Sequence, residues 1–100
     1  MSVFMILRAP ADADGFEQYA QENAETLNRI SADAQAAGAT RHAFAAGDGE
    51  LLVIDEWPDA GAFQQFYDSQ PEIPALMQAG GVTGQPQIAF YRKLTTSDTF

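Results

Sequence analysis

One hundred residues with 46% apolar side chains suffice for one globular domain with a real core, which excludes wholesale disorder. Five basic against fourteen acidic residues give a net charge of −9, and Arg8, Arg29, Arg41, Arg92 and Lys93 are scattered, so a nucleic-acid or anionic-membrane partner is not expected. The absence of cysteine excludes disulfides and thiolate chemistry and fits a reducing, cytoplasmic setting.

The amino end, Met1 to Leu7, has no basic leader and its apolar run is too short to span a bilayer, so it reads as a strand rather than a signal peptide. Over Val3 to Arg8, Val3, Met5 and Leu7 share one face and Phe4 and Ile6 the other. Ala9-Pro10-Ala11 breaks this strand, and Asp12 or Asp14 can cap the helix that follows. From Gly15 the period changes: Phe16, Tyr19, Ala20, Asn23, Leu27, Ile30, Ala34 and Ala37 fall on one stripe, with Gly38 as the C-cap. One unbroken helix here would be about 35 Å long, more than a small sheet needs, and Ser31-Ala32-Asp33 can cap a second segment after a bend near residue 31. Asn23 on the apolar stripe is either a buried, hydrogen-bonded group or a donor into a cavity.

Ala39 to Ala45 reads as a strand with Thr40, His42 and Phe44 on one face, and Gly47-Asp48-Gly49 as a hairpin turn. Glu50 to Trp57 is the strongest strand, with Leu51, Val53, Asp55 and Trp57 on one face and Leu52, Ile54 and Glu56 on the other. Asp59 caps a helix over Ala60 to Ser69, and Pro71 to Met77 supports a second short helix that stops at Gly80-Gly81. Gln87 to Leu94 is the last strand, and residues 95–100 form a tail to a domain of residues 1–94.

The order β-α-β-β-α-β is that of the α+β ferredoxin-like fold, an antiparallel four-stranded sheet with helices on one side. Apolar residues on both faces of the strands, as in Val3/Phe4, Leu51/Leu52 and Phe90/Tyr91, call for a second covering layer. Two subunits packed sheet to sheet, forming a dimeric α/β barrel with room inside for a small apolar or aromatic ligand, would supply it.

The run His42-Ala43-Phe44, Gly47-Asp48-Gly49-Glu50, a hydrophobic strand and Asp55-Glu56-Trp57, followed by Ala62-Phe63, Ser69 and Pro71, resembles the antibiotic biosynthesis monooxygenase family of dimeric α/β barrels. It is most similar to uncharacterised bacterial members. The resemblance implies a homodimer and, in some relatives, oxidation of polycyclic phenols without metal or flavin, using an asparagine, a tryptophan and an arginine or tyrosine; Asn23 and Trp57 could match the first two. Many members carry a histidine on the helix after the tryptophan strand; Phe66 stands at that place here, so a haem ligand or imidazole base is missing from it.

His42, the single histidine, can pair with Asp55 or Glu56 across the hairpin and act as a general base toward an acidic phenol, or be a hydrogen-bonded structural residue. Trp57 reads equally as core, interface or substrate platform, and Tyr91 as the best placed of three tyrosines to border a barrel interior. Asp55 and Glu56 point to opposite faces, and with one histidine and no cysteine a metal site is a poor fit; no phosphate loop and no cofactor are expected. The candidate catalytic set is therefore His42, Asn23, Trp57, Asp55 and Tyr91. Two functions compete. A cofactor-independent monooxygenase acting on a small aromatic or polyketide-like compound predicts a cavity of about 300 Å³ or more touching these groups. A non-catalytic ligand-binding, structural or stress-related protein predicts a collapsed interior around a fully paired His42.

Overall fold

A computed structural model describes residues 2–100. The chain runs β1 (Val3–Pro10), α1 (Ala13–Glu22), α2 (Ala24–Ala36), β2 (Arg41–Gly47), β3 (Glu50–Trp57), α3 (Ala60–Asp68), α4 (Ile73–Ala79) and β4 (Gln87–Arg92). The four strands form one antiparallel sheet in the order β2-β3-β1-β4, the ferredoxin-like topology.

Register fixes which side chains share a face. Met5 lies opposite Asp55 and Phe90, and Leu7 opposite Val53 and Ile88; His42 and Phe44 face Asp55 and Val53 from the other side of β3. The helices cover this face, and Met5, Phe16 and Trp57 are the largest side chains wholly buried between the layers. Full burial of each such side chain stabilises by roughly 1.5–3 kcal/mol. Trp57 packs edge-on to Phe63 and tilted to Phe66, at 5.6 and 5.3 Å, fastening α3 to the end of β3.

The long helix breaks at Asn23, eight residues before the expected bend. The Asn23 backbone N–H and its side-chain Nδ2 both donate to the Tyr19 carbonyl, at 2.9 Å each, and the residue sits at φ −119°, ψ 30°. A short amide that competes for backbone acceptors ends a helix readily, and two shorter helices can follow a small sheet. Asp12 and Asp59 cap α1 and α3 by accepting from Gly15 and Ala62 N–H. Gly38, which ends the α2 segment, has φ +117°, and a Cβ there would meet Pro58 at 2.9 Å.

The expected dimeric α/β barrel needs correction. The sheet is open, with β2 and β4 as unpaired edges separated by β3 and β1. Closure requires the first and last strands to pair, and β2 and β4 do not.

On the uncovered face lie Phe4, Ile6, Leu52, Ile54 and Tyr91; the first three are half-buried, whereas Ile54 and Tyr91 are exposed. Glu56 also lies there yet is buried, because it accepts from Ser2 Oγ (2.7 Å), Arg41 Nε (3.1 Å) and Lys93 Nζ (3.2 Å). It thus ties β2 and the two chain segments flanking β1 and β4 to the end of β3. The Ser2 hydroxyl, then Lys93 and Arg41, outweigh burial and hold the Glu56 carboxyl below its ordinary 4.5. An acid depressed in the folded state contributes stability above its unfolded value and loses it as pH falls through the folded one. Glu56→Gln should therefore cost about 1–2 kcal/mol in urea unfolding at neutral pH, with the deficit shrinking as pH drops below about 4. A deficit of the same size at pH 3 and pH 7 would refute this account.

Candidate functional site

β2 and β3 pair antiparallel with His42 directly opposite Asp55, both on the helix-covered face. His42 Nδ1 lies 2.7 Å from Asp55 Oδ1. Two residues on, Trp57 returns to the same face and its Nε1–H donates to Asp55 Oδ2 at 3.1 Å. Asp55 is 6% exposed and Trp57 fully buried, so both carboxylate oxygens are satisfied away from water. A carboxylate can only accept, so the neutral imidazole bound to it carries its proton on Nδ1 and leaves the Nε2 lone pair free. Nε2 has no hydrogen-bond partner among the described residues. Phe44 holds the ring edge-on at 5.0 Å.

This imidazole borders a cavity of about 100 Å³ between the sheet and the helices, short of the roughly 300 Å³ expected on the oxygenase reading. Met5, Leu7, Phe44 and Val53 form its sheet side, and Leu27 and Ile30 its α2 wall. Phe63 and Phe66 close it from α3, Leu76 and Met77 from α4. Besides His42 and Asp55, the polar groups on the lining are Ser31 and Tyr67. The His42 side chain keeps 35% of its surface exposed and Phe44 37%, so the cavity reaches solvent along β2. Two wider surface depressions, about 260 and 320 Å³, lie by Arg8 and Glu50 and by Lys93 and Thr96, and neither includes His42. Among the described residues no three His, Cys, Asp or Glu side chains gather as a metal site would require.

Of the five candidate residues, the fold brings together His42, Asp55 and Trp57. Trp57 touches Asp55 but does not line the cavity. Asn23 is used at the junction of α1 and α2 and also lies off the lining. Tyr91 is on the opposite face of the sheet, exposed. Tyr67, one of the three tyrosines considered for a cavity hydroxyl though ranked below Tyr91, does line the cavity; Ser31 was not among the candidates, although it follows Leu27 by four residues and so belongs on its stripe.

Residues 2–92 match a family model described as a domain of unknown function, DUF1330. The family matched is not the expected antibiotic biosynthesis monooxygenase family, and the open sheet corrects the barrel that the resemblance implied. No curated protein matches the chain in sequence. Among solved structures, a cofactor-independent oxygenase, SnoaB, from Streptomyces nogalater superposes with a TM-score of 0.62 at 19% identity over 98% of each chain. A monooxygenase from the gene ActVA-Orf6 of Streptomyces coelicolor, in complex with nanaomycin D, gives 0.68 at 13% identity over 98% of this chain and 93% of the other. A dimeric ferredoxin-like protein from an uncultured marine organism gives 0.68 at 13% identity over 99% and 93%. At these identities the likeness is one of fold.

In the uncharged ring, long-range ¹H–¹⁵N spectra of His42 should show Nδ1 as the protonated nitrogen. Asp55→Asn should abolish that preference and destabilise the protein by about 1–3 kcal/mol. A dominant Nε2–H tautomer in the parent protein would remove the basis for a free Nε2 at the cavity.

Proposed function

The chain belongs to the DUF1330 family, and from that premise we propose that its sheet–helix cavity binds a small aromatic molecule from which His42 takes a proton. The observation that carries this reading is the buried Asp55, which orients His42 by one nitrogen and leaves the other unpaired beside an apolar cavity. Asp55 would also stabilise the imidazolium that proton transfer creates, while Trp57 Nε1–H keeps the carboxylate in place.

The fold shared with two oxygenases supports a more specific chemistry, oxygenation of a phenol by dioxygen. His42 Nε2 accepts the hydroxyl proton, and the ring carbon that gains electron density forms a bond to one oxygen atom. The imidazolium returns its proton to the distal peroxide oxygen. Cleavage of the O–O bond, with loss of the hydrogen on that carbon as part of water, leaves a quinone. The sum is phenol plus dioxygen giving quinone plus water.

The competing expectation required a collapsed interior around a fully paired histidine, whereas a cavity of about 100 Å³, smaller than the oxygenase reading expected, lies beside a ring whose Nε2 has no protein partner among the described residues. Oxygen uptake with a panel of monocyclic and bicyclic phenols tests the proposal. His42→Ala should lower the rate about 10²- to 10⁴-fold. Binding without oxygen uptake by the parent protein would reject oxygenation in favour of a ligand-binding role, and uptake unaffected by His42→Ala would reject His42 as the base.

We also propose that two copies associate through the uncovered sheet face, which supports the exposed Ile54 and Tyr91 beside Phe4 and Ile6; a structural neighbour is itself described as dimeric. No helix among the described residues is long and apolar enough to cross a membrane. Ile54→Arg should convert a dimer to a monomer in sedimentation at tens of micromolar, about 1–2 kcal/mol or more of association energy being lost with the side chain. A monomeric parent protein at that concentration would end the proposal.

A further inference from the structure

The cavity's charge inventory narrows what the site can accept, on the reading of it given above. None of the five basic side chains lines it. Arg8 is paired with Glu50, Arg29 with Asp33 and Glu72, and Arg41 and Lys93 share Glu56, all outside the cavity. The fixed charge at the cavity is the Asp55 carboxylate, whose two oxygens are already engaged by His42 and Trp57.

We infer that the site discriminates by charge and size, taking neutral, weakly acidic molecules of about one ring and rejecting anions and ammonium compounds of the same shape. An anionic ligand brings no proton to charge His42, so it would add a second negative charge beside Asp55 in a low-dielectric enclosure with no lysine or arginine on the lining to meet it. An ammonium group would lose its hydration among apolar walls, and both Asp55 oxygens are already turned to His42 and Trp57. A neutral acid avoids both costs. Its proton moves to His42, the resulting anion sits against the imidazolium, and the net charge of the enclosure does not change. Size follows from volume: the cavity of about 100 Å³ is smaller than the roughly 150 Å³ apolar cavity known to hold benzene. The volume encloses only part of a single ring, whose polar edge then projects toward the open β2 side, and it has no room for a fused polycycle.

Titration of the full chain with phenol, benzoate, benzylamine and 1-naphthol, followed through the amide and methyl resonances of Val53, Leu76 and Met77, tests the inference. Phenol should shift these signals, with the other three binding about tenfold more weakly or worse. Benzoate, benzylamine or naphthol binding as tightly as phenol would overturn the selectivity while leaving a ligand site intact. If none of the four perturbs the lining, the ligand-binding reading itself falls and the selectivity with it. Leu27→Arg places a cation on the α2 wall and should raise benzoate affinity about tenfold while weakening phenol. Ser31→Lys, on the same wall, provides the same comparison if the first variant does not fold. A folded variant of either kind with unchanged benzoate affinity counts against charge as the discriminating property.

Discussion

A carboxylate can stay on the covered face of a sheet only if its oxygens find donors there, because an unpaired buried charge costs several kcal/mol. Asp55 meets this condition through two residues that secondary structure alone delivers: His42 by antiparallel register, Trp57 by the two-residue repeat of its own strand. The same hydrogen bonds that make the burial tolerable give the imidazole its orientation. The structural and the chemical reading of His42 therefore describe one arrangement. The second ring nitrogen has no protein partner among the described residues, and the imidazole that carries it lines the cavity.

The next residue along the strand solves the same problem differently. Glu56 points to the uncovered face and is buried by its own partners, two cations and a hydroxyl, instead of by a helix layer. Two successive acids at the end of β3 thus hold different things together: Asp55 a polar triad inside the core, Glu56 the ends of three strands around the rim. Charge–charge partners suit the position near water, where ionic hydration is still within reach. Neutral donors suit the interior, where the indole and imidazole supply hydrogen bonds without a second full charge.

Strand and helix periods made most of this architecture legible. The alternation over residues 50–57 placed Asp55 and Trp57 on one face and Glu56 on the other, as found. The hairpin turn at Asp48-Gly49 set the register that joins His42 to Asp55. Asn23 was harder. Its place on the apolar stripe is compatible with a cavity-facing amide, and only the competition between side-chain and backbone donors for the Tyr19 carbonyl shows that it is spent on a helix break. Tyr91 was assigned importance through a barrel interior that an open four-stranded sheet does not have. Ser31 escaped notice because serine after an apolar run suggests a cap, while its spacing from Leu27 puts it on the inner wall.

Phe66 links the core to the site's dimensions. It packs tilted against Trp57, helping to bury the indole that secures Asp55, and it also lines the cavity. A smaller or polar side chain there would enlarge the space beside His42 but loosen the packing that fixes the triad. The small volume and the fixed imidazole are in this sense coupled through one ring. The lining residues lie on the covered face and on the helices above it. Association through the uncovered face would act on the opposite side of β1 and β3, so a change that abolishes it need not disturb the His42 site. The two sides of the sheet can then be altered independently, which makes the chemical proposal and the assembly proposal separable by mutation.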